Sequence, residues 1–198
     1  MKYIEDIQNY VPVNAQETHD KQVILNYISH FLENVLLRDN KIAHITSSGF
    51  IMNEKLDKVL FVKHNILQRW AWTGGHADGN GDLLQVAIEE AKEETGIAEV
   101  VPLTSSIASI DILSVGAHLK NERYVNQHLH LSIAYILLAS EKEKLQLKED
   151  ENSGVKWIKV EDIDSEIFDD YDKYLYRKLV NQAKDKKMKM TDISKGDL

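Results

Sequence analysis

Apolar positions recur at two different periods along this chain, and the period changes as the chain proceeds. Over residues 16–37, Val23, Ile24, Tyr27, Ile28, Phe31, Leu32 and Val35 recur at steps of three and four, which predicts a helix with one buried face. Residues 1–15, with Pro12, read as an irregular lead-in, and Arg38-Asp39-Asn40 ends the helix. Its apolar face has to cover the rest of the chain or pair with a second copy; the pattern leaves both open. From residue 44 the texture turns extended. Residues 44–52 and the apolar run 58–63 predict an antiparallel pair of strands joined by a polar turn, Asn53-Glu54-Lys55. Residues 68–73 put Trp70 and Trp72 on one face of a short strand. Later strands are predicted over 105–115, 128–138 and 155–160, with a charged loop over 141–153. Residues 169–184 predict a helix with Tyr171, Tyr174, Leu175, Leu179 and Val180 inward, and 186–198 a polar, frayed tail.

Between these strands, residues 74–97 combine a glycine-rich loop with a helix full of carboxylates. Asp82 is placed to cap the helix start, Gln85 completes a capping-box pattern, and Gly96 supplies a left-handed stop. The predicted helix is 83–95. Leu84, Ala87, Ile88 and Ala91 share its core side, and Glu90, Glu93 and Glu94 form a second stripe flanked by Glu89. Like charges at this spacing cost an isolated helix about 0.2–0.5 kcal/mol per pair. The stripe is either a solvated acidic face or a seat for a hard cation such as Mg²⁺, which takes oxygen ligands.

Strands on both sides of one central helix, with one late helix, predict an α+β fold in which a mixed β-sheet lies between helices. The expected divisions are an N-terminal helical extension (1–40), a main domain (41–185) and the tail (186–198). The 198 residues carry a net charge of −8, which argues against a nucleic-acid polymer as partner. The absence of cysteine excludes disulfides, zinc–thiolate sites and thiol nucleophiles. No apolar run approaches the ~20 residues of a membrane span, so no membrane partner is expected. The first residues lack the apolar core of a signal peptide, so the expected location is cytoplasmic.

The central stretch resembles the signature of the Nudix (MutT-like) hydrolases. Gly75 matches its opening glycine, and Glu90-Ala91-Lys92-Glu93-Glu94-Thr95-Gly96-Ile97 matches its closing section at the correct spacing. The resemblance implies a Nudix-type α/β/α sandwich carrying an added N-terminal helix. It implies a metal-dependent hydrolase in which water cleaves the pyrophosphate bond of a nucleoside diphosphate linked to another moiety. It places Mg²⁺ or Mn²⁺ at Gly75, Glu90, Glu93 and Glu94, with catalysis by Glu93 and Glu94. The acidic loop of Glu149, Asp150 and Glu151 lies where some members supply a base, and Glu151 is taken as the catalytic candidate. Two positions depart: Gly81 stands where the family has its first glutamate, and Glu89 where it has an arginine. Asp78 or Asp82 is an expected substitute, or Glu89 joins the ion shell. The alternative function is a Nudix-like nucleotide-binding or regulatory module with weak or lost catalysis. The related isopentenyl-diphosphate isomerases use a catalytic cysteine, which this chain lacks.

Other residues draw notice for substrate contact. His128 and His130 face the same way from one strand, and His76 stands in the glycine loop. Together they suit phosphate, a transition metal, or simply a polar cleft. Trp70 is a candidate for base stacking, against the more common role of core packing. Lys63, Arg69 and Arg123 are candidates on charge alone. The expected partner is a nucleotide-type small-molecule diphosphate, and a homodimer is an open option.

Overall fold

The computed structural model describes residues 1–65, 68–120, 122–148 and 150–196 (backbone only at 120 and 192–196). Its elements run α1 (Lys2–Asn9), α2 (Ala15–Phe31), β1 (Ala43–Asn53), β2 (Lys58–His64), β3 (Arg69–Ala71), β4 (Thr73–His76), α3 (Leu83–Thr95), β5 (Val101–Pro102), β6 (Ser109–Val115), β7 (His118–Lys120), β8 (Arg123–Val125), β9 (His128–Ala139), β10 (Asn152–Lys159) and α4 (Asp170–Gly196). An 8-stranded sheet has the central order β10-β2-β1-β9-β5, with β3 on β2, β4 on β1 and β6 on β9. β1 and β9 are parallel, pairing from Ala43↔Leu129 to Asn53↔Ala139, while their other neighbours are antiparallel. The sheet is therefore mixed, as expected.

The period-two alternation of the strands divides the core in two. Ile45 and Ile51 of β1, with Leu131, Ile133, Tyr135 and Leu137 of β9, pack against α1, α2 and α3. Phe50 and Met52, with Ala134 and Ile136, pack on the opposite face against Leu175, Tyr176, Leu179 and Val180 of α4. Among the described residues, no helix is long and apolar enough to cross a membrane.

Four sequence expectations change. The lead-in is helical over Lys2–Asn9, because Tyr3 and Ile7, one turn apart, are both buried in the first core. The long N-terminal helix covers the sheet, but through a narrower stripe: Ile24 and Ile28 are buried, while Val23, Phe31 and Leu32 are exposed. The single strand expected over 68–73 is two strands, since the chain leaves β2 and joins β1 on either side of Trp72. The last helix continues to Gly196, and Tyr171 and Tyr174 are exposed while Leu175, Leu179 and Val180 face inward as expected. Lys186 Nζ holds it by donating to Ser106 Oγ (2.6 Å) and the Ile107 carbonyl (3.0 Å), and Lys187 Nζ donates to the Glu54 carbonyl (2.6 Å).

Candidate functional site

Helix α3 starts and stops where local chemistry predicts. The Asp82 side chain accepts from the Gln85 backbone N–H, and Gly96 takes the left-handed conformation with φ of 72°. The reciprocal half of the capping box is absent: Asn80 caps the Asp82 N–H (2.9 Å), and the Gln85 side chain donates to Glu89 (2.8 Å). The helix lies against β1 and β4, so its acidic side meets the Gly74-Gly75 backbone.

There a cleft of about 240 Å³ is lined by Gly74, Gly75, His76, Glu90, Glu94 and Glu151, with Arg38, Asp150, His64, Asn65 and Leu119. Glu94 is only 4% exposed. Its carboxylate accepts from the Gly74 backbone N–H, yet Oε2 has no hydrogen-bond partner. Burial, and then the charges of Glu90 and Glu151, push the Glu94 carboxyl well above its ordinary range. Burial and the neighbouring Glu93 raise Glu90 in the same direction. Two partly desolvated carboxylates that repel each other, one with an orphaned oxygen, are costly as they stand and favourable around a cation. An all-oxygen donor set selects a hard ion such as Mg²⁺ or Mn²⁺. The residues present therefore fit the metal that the sequence resemblance implies.

Gly75 is required by this packing. A Cβ at that position would fall inside the Glu90 carboxyl group, so any side chain displaces Glu90. Gly75→Ala is expected to weaken Mn²⁺ binding about tenfold, the lower range for disturbing a metal ligand's support. Mn²⁺ titration followed by electron paramagnetic resonance checks this, and unchanged affinity would show that Glu90 does not need its present position.

The predicted site residues do not all gather here. Glu93 is exposed and pairs with Lys148 (3.3 Å), which also pairs with Glu151 (3.2 Å). Lys148 thus ties the acidic loop to α3, and the Glu151 carbonyl accepts from the Asn65 N–H (2.8 Å). Glu149 of the same loop lies outside the described residues. Trp70 is not part of the cleft lining: its ring lies under Lys156 Nζ (4.3 Å), and a Cβ at Gly154 would meet the indole at 3.0 Å. Trp70 and Trp72 pack on the second core, so core packing rather than base stacking explains this pair. Arg69 is engaged away from the cleft, by Asp169 (2.6 Å) and Asp172 (3.3 Å).

The expected substitutes for the missing glutamate are also committed elsewhere. Asp82 caps α3 and pairs with Lys2 (3.2 Å). Asp78 holds Arg38 through two bonds, 2.7 Å from Nε and 2.5 Å from Nη2. That Arg38 contact keeps Asp78 below its usual range. Glu89 is exposed, with Gln85 as its partner. The cation of the cleft comes instead from the N-terminal extension, as Arg38, whose field reaches Glu90 and Glu151. Sequence reasoning missed Arg38 because no spacing relates it to Asp78, forty positions away.

His76, His128 and His130 do come together, and His44 joins them. His44 and His130 are direct partners across the parallel β1–β9 pair, and His76 opposes Thr46 on β4. All four therefore sit at one end of the sheet, on the face carrying the second core. Burial, followed by the fields of the other histidines, pushes His130 down to about 2. Burial lowers His44 as well. The ring pair at 128 and 130 was visible as a period-two signal; His44 could be added only through the β1–β9 register.

A NUDIX domain model matches residues 43–179. No curated protein sequence matches the chain. Among solved structures, the chain is similar to a NUDIX-family hydrolase from Clostridium perfringens, with 22% identity, a TM-score of 0.50, and coverage of 70% of this chain and 96% of that one. It is also similar to the MutT protein from Methanosarcina mazei Go1, with 21% identity, a TM-score of 0.49, and coverage of 75% and 97%.

Proposed function

This chain belongs to the NUDIX family, whose members hydrolyse phosphorus-containing anhydrides, and from that premise we propose that it cleaves the pyrophosphate bond of a nucleoside diphosphate linked to another moiety. The observation that carries the reading is the buried, unpartnered Glu94 Oε2 beside Glu90 and the Gly74-Gly75 backbone. Glu90, Glu94 and the Gly75 backbone line the cleft and would hold the divalent ion, Mg²⁺ or Mn²⁺, with Glu93, here paired with Lys148, as a further ligand. When bound, the ion would neutralise charge on the phosphates and acidify water. Glu94 owes its place to the apolar side of α3, which fixes it toward the sheet while Gly74 orients one oxygen.

Glu151 is the general base. Its loop places the carboxylate in the same cleft, where it takes the proton of the attacking water. Lys148, between Glu93 and Glu151, holds that loop to α3 and keeps Glu151 oriented. Arg38 faces the same space with Asp78 fixing its fork, the arrangement suited to a phosphate oxygen. His76, next to Gly75, forms the adjacent wall of the substrate cleft. The expected setting is the cytoplasm, where nucleotide-type diphosphates occur.

The test is turnover of a panel of nucleoside triphosphates, dinucleoside polyphosphates and nucleoside diphosphate sugars with Mg²⁺ or Mn²⁺ in ¹⁸O-water. The expected result is hydrolysis of at least one, with the label in a phosphorylated product, because water attacks phosphorus. Tight binding of these compounds with no turnover of any would replace the hydrolase reading by a nucleotide-binding module.

A further inference from the structure

We propose that His44, His76, His128 and His130 form a tetrahedral Zn²⁺ site that adjoins the carboxylate cleft through His76 and uses none of its carboxylates. One ligating nitrogen from each of the four lies within 4.8 Å of all the others. A tetrahedral ion with Zn–N of about 2.0–2.1 Å sets its ligand nitrogens about 3.3–3.4 Å apart. His128 Nε2 and His130 Nε2 are already 3.3 Å apart. The same tetrahedron places imidazole centroids about 5.2 Å from one another. The centroid separations are 4.9 Å for His44–His76, 5.0 Å for His44–His128, 5.3 Å for His44–His130, 5.0 Å for His76–His130 and 5.1 Å for His128–His130. Five of the six ring pairs thus stand close to the tetrahedral separation.

The remaining nitrogens support the assignment. His44 Nδ1 meets the Asn40 carbonyl (3.0 Å), and His128 Nδ1 meets the Asn126 carbonyl (2.8 Å). A carbonyl only accepts, so each Nδ1 carries the proton and each Nε2 is left as a lone pair. His44 Nε2 is buried without a hydrogen-bond partner, and His128 Nε2 turns its lone pair toward His130. Lone pairs gathered on a common point ask for a cation, and neutral imidazoles select a borderline transition ion over Mg²⁺. With four protein ligands the site is closed, the arrangement of a structural rather than a catalytic zinc. Its ligands come from β1, β4 and β9, so the ion pins the sheet end that carries the glycine loop.

Metal binding is tested on the full chain after chelator treatment, by titration with Zn²⁺ or Co²⁺ in the presence of excess Mg²⁺. One ion per chain is expected, with the intense visible absorption of tetrahedral Co²⁺. Zinc-edge X-ray absorption of the wild-type protein should show four light ligands with the multiple-scattering pattern of imidazole. His44→Asn and His130→Asn should each weaken Zn²⁺ binding by at least about a hundredfold, more than the loss of a ligand's support costs. Glu93→Gln and Glu94→Gln should leave it unchanged. No stoichiometric Zn²⁺ binding, an octahedral Co²⁺ spectrum, absence of imidazole scattering, or binding lost with the glutamates and kept without the histidines would each overturn the site. None of these measurements uses turnover, so the result stands apart from the hydrolase reading.

Discussion

Glu94→Gln is expected to lower the rate of pyrophosphate hydrolysis by at least about two orders of magnitude, the scale of losing a major charge-stabilising group. The chain should fold as well as before, or better. Both halves follow from the same atoms. The carboxylate is almost fully buried, it sits near Glu90 and Glu151, and its Oε2 has no partner. Without a cation, that carboxyl is a burden on the fold, because it must either stay ionised and unpaired or take up a proton, and each costs free energy. Glutamine keeps the shape and the oxygen that accepts from Gly74, and removes the charge. The metal-free variant should therefore melt at the same temperature as the wild type or higher. Active sites that carry such liabilities trade stability for function. Steady-state rates with Mn²⁺, paired with thermal melts in chelator, check both halves. Wild-type rates would move the metal site off Glu94, and a lower melting temperature would mean that this carboxylate supports the fold.

What the sequence made legible is what local chemistry decides. The ends of α3 follow from Asp82 and Gly96, each acting within a few residues, and both lie where predicted. The strands showed as extended, largely apolar runs, which a core on each face of the sheet imposes on β1 and β9. The Glu90 and Glu94 pairing followed from one turn of helix. Arg38, Lys148 and His44 were not legible, because each reaches the site through contacts between distant segments. Trp70 shows the converse: its spacing with Trp72 was correct, but spacing does not tell a packed face from a ligand face. The α1 helix carried its signal in Tyr3 and Ile7, a pattern too short to stand against Pro12 and the polar residues around it.

Lys178→Met is expected to destabilise the chain by about 3–5 kcal/mol, the cost of breaking a buried ion pair from one side. Lys178 Nζ lies 2.9 Å from Glu17 Oε1 and 2.6 Å from Asp111 Oδ1, and all three side chains are buried. Charged residues default to the surface, so nothing in the sequence marked this cluster. It joins α2, β6 and α4, and its acceptors are used repeatedly. Ser109 Oγ donates to Glu17 Oε1 (3.0 Å), while Tyr10 Oη (2.6 Å) and the Val13 N–H (3.0 Å) donate to Glu17 Oε2. Burial opposes the charged form of Glu17; the Tyr10, Val13 and Lys178 contacts outweigh it and hold the carboxyl below its ordinary range. Burial instead raises Asp111, against the pull of Lys178. Methionine keeps most of the lysine's length but leaves both carboxylates without their cation. Adding Asp111→Asn should recover part of the loss, since one stranded charge then disappears. Urea denaturation of the single and double variants measures both numbers. A loss under about 1 kcal/mol, the value of an exposed pair, would mean that water reaches this cluster. Activity per folded molecule should not change in either variant, because the cluster touches neither Glu94 nor the glycine loop.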